Sequence, residues 1–196
     1  MKRSTDFGLI LGSQSPRRQA LLQEAGFDFE VKKMDVDESF SETMNPLEVA
    51  AYLAKEKSRA YLQSFAGHTI LTADTVVIQN EHILGKPKDR EQAKEMLERI
   101  SGNIHQVVTG VCISNAIKTD VFHSITEVKT KALTHEEIDY YIDRYQPFDK
   151  AGAYGIQEWF GLVAIEWING SFYNVVGLPI HLVYQSLVEK FGITPY

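Results

Sequence analysis

The chain has 196 residues, 44% of them hydrophobic and 23% charged, which supports a packed core and excludes a disordered or low-complexity protein. A net charge of -6 and a pI near 5.5 argue against duplex nucleic acid as a partner, although a small anion can still bind where cations gather locally. The single cysteine, Cys112, lies in the apolar run Val107 to Ile113 and reads as a buried hydrophobe, so neither a disulfide nor a cysteine zinc site can be built from it. Met1 to Asp6 is charged and the apolar run after it is short, so no signal peptide is expected. No stretch approaches the length of a membrane span. The composition leads us to expect a soluble, cytoplasmic protein forming a single domain over residues 1–196, without repeats or linkers.

Phe7 to Leu11 reads as a buried strand that turns at Gly12 and Ser13. Ser15 is a good N-cap and Pro16 suits the first helical position; Leu21, Leu22 and Ala25 follow at helical spacing until Gly26. Arg17 and Arg18 therefore fall in the first turn, where the aligned peptide dipoles already carry positive charge and acidic residues are the stabilising choice. Serine hydroxyls, free backbone N–H groups and two guanidinium forks at a strand-to-helix turn describe an anion site suited to phosphate. The alternative, two solvated arginines near acids such as Glu24, fits the combination less well.

Phe27, Phe29 and Val31 alternate with polar residues, the pattern of a strand with one covered face. Met34 to Asn45 is an acidic loop carrying Asp35, Asp37, Glu38 and Glu42; such clusters are more often solvated than metal-binding. Asn45, Pro46 and Glu48 open a helix in capping-box order, with Ala50, Leu53, Ala54 and Tyr61 on one face. Lys57 shares that face, where a lysine either snorkels outward or reaches toward an anion; alone, the pattern favours snorkelling. Thr69 to Ile78 reads as a strand covered on both sides, interrupted by Asp74. An aspartate there is offset by a metal, a cation or a catalytic task, or the strand bulges.

His82 to Leu84 completes a hairpin, and Lys86 follows between Gly85 and Pro87, which restrict where its ammonium can go. Asp89 and Gln92 open a helix with Ala93, Met96, Leu97 and Ile100 as its buried stripe. Ile104 to Ser114 and Val121 to Ala132 are expected as long strands, and Thr134 with Glu137 caps a helix ending before Pro147. Pro147 to Gln157 reads as a loop whose small residues permit close backbone approach to a ligand. Gly161 to Ile168 reads as a strand, Asn169-Gly170 as a hairpin turn, Ser171 to Val176 as the returning strand, and Ile180 to Phe191 as a last helix. Neither a P-loop nor a Gly-rich dinucleotide fingerprint is present, and six scattered histidines offer no paired zinc spacing.

Taken in order, Ser13-Gln-Ser-Pro-Arg-Arg18, Leu53-Ala-Lys-Glu-Lys57, Ala73-Asp-Thr75, Leu84-Gly-Lys-Pro87, His105 to Thr109, Lys150-Ala-Gly-Ala-Tyr-Gly-Ile-Gln157 and Gly177-Leu-Pro179 closely resemble the Maf family of nucleoside triphosphate pyrophosphatases. The resemblance covers almost the whole chain. It implies a mixed α/β fold of the inosine-triphosphatase-like type, with an elongated sheet flanked by helices and two lobes around a cleft, and commonly a homodimer. It also implies hydrolysis of a nucleoside triphosphate, with Mg²⁺ or Mn²⁺, to the monophosphate and pyrophosphate; the Lys150 to Gln157 motif resembles the branch acting on dTTP and UTP.

Carried over by position, Ser13, Arg17, Arg18, Lys57 and Lys86 would hold the triphosphate, Glu38 and Asp74 the metal, and Asp74 would be the general base. Gln157, Thr75 and Arg17 would read the base. Without the resemblance, Gln157 would pass for a loop amide bonded to backbone. Two positions depart from the pattern: Gly12, where alanine is common, and Glu158, where glycine is expected. A nucleotide-binding regulator of cell division without turnover, and a phosphatase releasing orthophosphate, are the rival readings.

Overall fold

The computed structural model describes residues 8–196, so Met1 to Asp6 and the expected strand start at Phe7 lie outside the described residues. In chain order the elements are β1 (Leu9–Leu11), α1 (Pro16–Glu24), β2 (Glu30–Val31), α2 (Pro46–Ser64), β3 (Thr69–Gln79), β4 (His82–Leu84), α3 (Arg90–Ile100), β5 (Ile104–Ser114), β6 (Thr119–Thr130), α4 (His135–Tyr145), α5 (Trp159–Val163), β7 (Ile165–Asn169), α6 (Phe172–Val176) and α7 (Ile180–Gln185). The strands form a seven-stranded mixed sheet in the order β2-β1-β3-β5-β6-β7, with β4 on β3. β1 runs parallel to β2 and β3, while β3–β4 and β6–β7 are antiparallel. The fold is thus mixed α/β, as expected. No described helix is long and apolar enough to cross a membrane.

The chain divides into two compact units. The first comprises the described residues up to Asp74, then Thr109–Ser124 and Gly177–Tyr196. Ile10, Ile70 and Tyr61 form one of its buried clusters, and the Thr72 hydroxyl ties β3 to α2 by donating to the Ala54 carbonyl at 2.7 Å. Asn115 Oδ1 accepts from the Ile117 and Lys118 amides at 2.9 and 3.0 Å, which makes the turn joining β5 to β6. Cys112 is buried and free, as its sequence context required.

The strand expected at Phe27 to Val31 shrinks to Glu30–Val31, both exposed. Phe27 is buried instead, edge-on to Tyr184 of α7 at 5.7 Å, so its burial comes from a helix and not from a pleated face. The Asn45 side chain caps α2 through the Leu47 amide at 3.1 Å, an Asx turn in place of the expected capping box with Glu48.

The second unit is Thr75–Val108 with Ile125–Val176. Its core joins Val77, Leu97, Ile100, Val107, Tyr141 and Phe160, and Arg90 of α3 links to Asp139 and Asp143 of α4 at 2.9 and 3.0 Å. The expected capping box at Thr134 and Glu137 is present in full. Two expected strands are corrected here. Gly161 to Ile168 begins as helix α5 and becomes β7 only at Ile165, because a short apolar run suits either period and the backbone folds back on itself. A Cβ on Gly161 would lie 1.6 Å from the Ile156 carbonyl oxygen, so only glycine permits that return.

Ser171 to Val176 is not the returning strand of a hairpin but helix α6. The Ser171 hydroxyl accepts from the Asn174 amide at 3.3 Å, and the buried Asn174 side chain donates to the Val107 carbonyl at 3.0 Å and to Thr126 Oγ1 at 2.9 Å. Those bonds turn the segment inward and override the Asn-Gly signal.

His105 of β5 is buried, with Nε2 2.7 Å from the Tyr154 hydroxyl and Nδ1 without a partner among the described residues. Burial pulls its pKa down from 6.5 to about 4. Between those values the unfolded chain binds a proton that the folded chain refuses, so folding stability is full above pH 6.5 and falls as the pH drops toward 4. The loss amounts to roughly 3 kcal/mol. Urea unfolding across this window should show the decline, and His105→Gln should flatten it; equal slopes for both proteins would assign the acid sensitivity elsewhere.

Candidate functional site

In the first unit the strand β1 ends at Leu11, and the chain turns through Gly12 to Ser15 into α1. Gly12 has a local reason: a Cβ there would lie 2.9 Å from Thr72 Cγ2 and 3.0 Å from the Tyr61 ring. Ser15 is the N-cap and Pro16 opens the helix, whose first turn contains no acidic residue. Ser13 Oγ accepts from the Ser15 amide at 3.3 Å, and Ser15 Oγ from the Arg18 amide at 3.5 Å. The corner is built as the residue pattern requires.

Arg18 bonds to three separate segments. Its Nε donates to the Gly177 carbonyl at 2.8 Å, and its Nη1 donates to the Ala73 carbonyl at 2.7 Å and to Ser13 Oγ at 3.4 Å. One side chain thus joins the start of α1, the residue preceding Asp74 on β3, and the Gly177-Leu-Pro179 segment. Burial lowers the Arg18 pKa; Asp74 and Glu38 oppose that shift, whereas neighbouring Arg17 adds to it. The same interactions place Arg17, Arg18, Asp74 and Glu38 in one electrostatic cluster.

Lys57 does not snorkel into solvent. Its side chain is only 12% exposed, and Nζ lies 2.7 Å from Glu38 Oε1 and 3.1 Å from Asp74 Oδ1. The cation that offsets the strand aspartate therefore comes from α2. Glu38 is held by its own loop: the Asp37 carboxylate accepts from the Ser39 amide at 2.9 Å and from its hydroxyl at 2.8 Å, closing a turn around it. Those bonds lower the Asp37 pKa.

Tyr61 is the residue whose role sequence reasoning missed. One helical turn beyond Lys57, its hydroxyl donates to the Lys32 carbonyl and accepts from the Met34 amide, each at 3.0 Å. It pins the start of the acidic loop to the helix that carries Lys57, and burial pushes its phenol pKa up. Its hydroxyl at i+4 from Lys57, on an otherwise apolar stripe, was the available signal.

Thr75, Lys86 and Gln157 belong to the second unit. Thr75 is half-buried and follows Asp74 directly in β3. Lys86 is exposed, in a turn anchored where the Gly152 amide donates to the Gly85 carbonyl at 3.0 Å. Gln157 is exposed too, and its amide makes no hydrogen bond to any described residue, so it is not the backbone-bonded loop amide that its type alone suggests. It lines a groove of about 450 Å³ with Ile156, Leu162, Trp167 and Phe172.

A sequence model of the family described as Maf-like protein matches residues 8–190. A "dTTP/UTP pyrophosphatase" of Porphyromonas gingivalis is 51% identical over 190 residues, 95% of either chain. Proteins of the same name from Parabacteroides distasonis and Flavobacterium psychrophilum are 46% and 44% identical, covering 92% and 96% of this chain and 95% and 97% of their own. Among solved structures, the Ham1 protein of Staphylococcus aureus aligns with 63% of this chain and 71% of its own at 16% identity and a TM-score of 0.48.

Arg18→Ala removes two charge-assisted bonds to backbone carbonyls, which should cost about 2–4 kcal/mol of folding stability. Arg18→Lys should recover less than half of that, since one ammonium cannot reproduce the guanidinium fork. Chemical denaturation of both variants checks this; a stability loss within 0.5 kcal/mol of zero, roughly the usual effect of a surface change, would show that the bonds are dispensable.

Proposed function

This chain belongs to the Maf family, and from that premise we propose that it hydrolyses dTTP and UTP to the monophosphate and pyrophosphate, clearing nucleotides from the cytoplasmic pool. The observation that carries the proposal is the grouping of Asp74, Lys57, Glu38 and the Ser13 to Arg18 corner within one unit. A carboxylate interrupting an apolar strand, surrounded by cations from separate elements, suits hydrolysis of a polyanion. The names of relatives at 44 to 51% identity supply the substrate class.

In the proposed reaction a water oxygen bonds to the α-phosphorus, the bond from that phosphorus to the bridging oxygen breaks, and pyrophosphate leaves. Asp74 accepts the proton of the attacking water and releases it to solvent. Ser13 and the cations Arg17, Arg18, Lys57 and Lys86 bind the triphosphate oxygens and balance the charge that grows on the leaving group. Arg18 keeps the backbone at Ala73 fixed, so it also orients the neighbouring Asp74.

Glu38 and Asp74 would hold Mg²⁺ or Mn²⁺. No group of three or more metal-ligating side chains occurs among the described residues. The donor set fits an ion that arrives with its substrate, since such cations commonly take one or two carboxylates and complete their shell with water and phosphate oxygens. Bound there, the ion supplies charge neutralisation and lowers the pKa of water. Gln157, with Thr75 and Arg17, reads the base, a glutamine amide having both the acceptor and the donors that thymine and uracil require.

Incubation with dTTP or UTP and Mg²⁺ should yield monophosphate and pyrophosphate, and Asp74→Asn should lower turnover by roughly 10²- to 10⁴-fold. Chelation should stop the reaction and added Mg²⁺ restore it. Orthophosphate as the first product, or near-normal turnover by Asp74→Asn, would overturn the reading.

A further inference from the structure

A glutamine amide presents almost the same shape with its oxygen and nitrogen exchanged. With its oxygen toward the base it accepts the N3–H of uracil or thymine, and with its nitrogen toward the base it donates to the N3 of cytosine. An amide that can turn over therefore discriminates poorly, so a protein that rejects cytosine needs a second group to hold the amide one way round. The neighbourhood of Gln157 contains a carboxylate, that of Glu158, at the position where the family pattern leads one to expect glycine.

Glu158 is bound through both carboxylate oxygens. Oε2 accepts from the Tyr141 hydroxyl at 2.5 Å, and Oε1 lies 3.1 Å from Lys150 Nζ. The Lys150 side chain is 8% exposed and is held a second time by Asp149 at 2.7 Å. Tyr141 is fully buried, stacked on Tyr145 at 5.1 Å and tilted against Phe160 at 5.2 Å, so its hydroxyl is a fixed point of the core.

That same hydroxyl accepts the Gly155 amide at 2.9 Å, and the Glu158 amide donates to the Gly155 carbonyl at 3.1 Å. The backbone is thus anchored on both sides of Gln157. Above Gly155, the point where a Cβ would stand lies 2.9 Å from Gln157 Nε2 and 2.9 Å from Glu158 Cδ. The amide nitrogen and the carboxylate thus both border the space above Gly155 that glycine leaves open.

We propose that Glu158 is a specificity-determining positioning residue: its carboxylate, fixed by Lys150 and Tyr141, places negative charge beside Gln157 without bonding to it, and that charge favours the orientation with the NH₂ on its side and the amide oxygen toward the base. A carboxylate attracts the amide's N–H end and repels its oxygen, so it selects between two orientations of equal shape. With the oxygen outward, the N3–H of uracil or thymine is accepted. The N3 lone pair of cytosine instead meets another lone pair. Glu158 then acts through Gln157 without touching substrate, and the inference rests on Gln157 as the base-reading amide.

The test is the ratio of kcat/KM for UTP to that for CTP, measured on one preparation of each full-length protein. Such a ratio does not depend on how much of the preparation is folded. The wild-type ratio should be about 10² or more, the scale on which unpaired polar groups discriminate. Glu158→Gln should reduce it at least 10-fold, mainly by improving CTP, and Tyr141→Phe should reduce it in the same direction. If Gln157→Ala collapses the ratio while both Glu158→Gln and Tyr141→Phe leave it intact, the positioning inference falls and base reading by Gln157 stands. If Gln157→Ala also leaves it intact, or the wild type shows no preference, the base-reading assignment itself is wrong.

Discussion

The guanidinium of Arg18 is the fixture on which the first unit depends. A helix start, a strand and a distant loop end there in carbonyls or hydroxyls that need donors, and one planar group reaches Ser13, Ala73 and Gly177. A buried carbonyl without a donor is costly, and guanidinium is the side chain whose geometry can serve several at once. Because Ala73 directly precedes Asp74, this structural bond also fixes the backbone that carries the proposed base.

Polar groups are distributed between the units with different tasks. The first unit holds carboxylates and cations in direct contact: Lys57 lies between Glu38 and Asp74, and Tyr61 fixes the loop from which Glu38 comes. The second unit holds the loop around Gln157 with neutral and ionic bonds rooted in the core, from Tyr141 and Lys150 to Glu158 and Gly155. In both, a buried tyrosine hydroxyl attached to a helix stabilises a loop that carries a side chain of the proposed site. A hydroxyl that both donates and accepts can pin backbone on two sides, which no apolar residue at the same place can do.

Helices were legible where a cap accompanied a periodic stripe. Ser15, Asp89 and Thr134 open α1, α3 and α4 as their spacing implies. The long apolar strands β3 and β5 were equally plain, because a β-branched run of that length has few other uses. Short segments misled. Phe27 to Val31 and Gly161 to Ile168 fit the strand pattern locally, yet the partner that buries Phe27 is a helix more than 150 residues away in sequence, and Gly161 is placed by the Ile156 carbonyl. Asn174, expected within the returning strand Ser171 to Val176, lies in a helix and is buried, because two acceptors from β5 and β6 meet its amide.

The oddities of the proposed site were visible in the residue string: arginines at a helix start, an aspartate in an apolar strand, a lysine on a buried stripe, and a small-residue loop before Gln157. Each is a local violation of a preference, and such violations can be seen without knowing the fold. Which violation compensates which other was not visible. That Lys57 balances Asp74, that Arg18 supports Ala73, and that Glu158 is held by Tyr141 and Lys150 all depend on separations of a few ångströms between residues far apart along the chain. Residue types determine what a side chain can bond to; only the packed chain decides which partner comes within reach, because Coulomb and hydrogen-bond energies vary steeply over distances that sequence spacing does not encode.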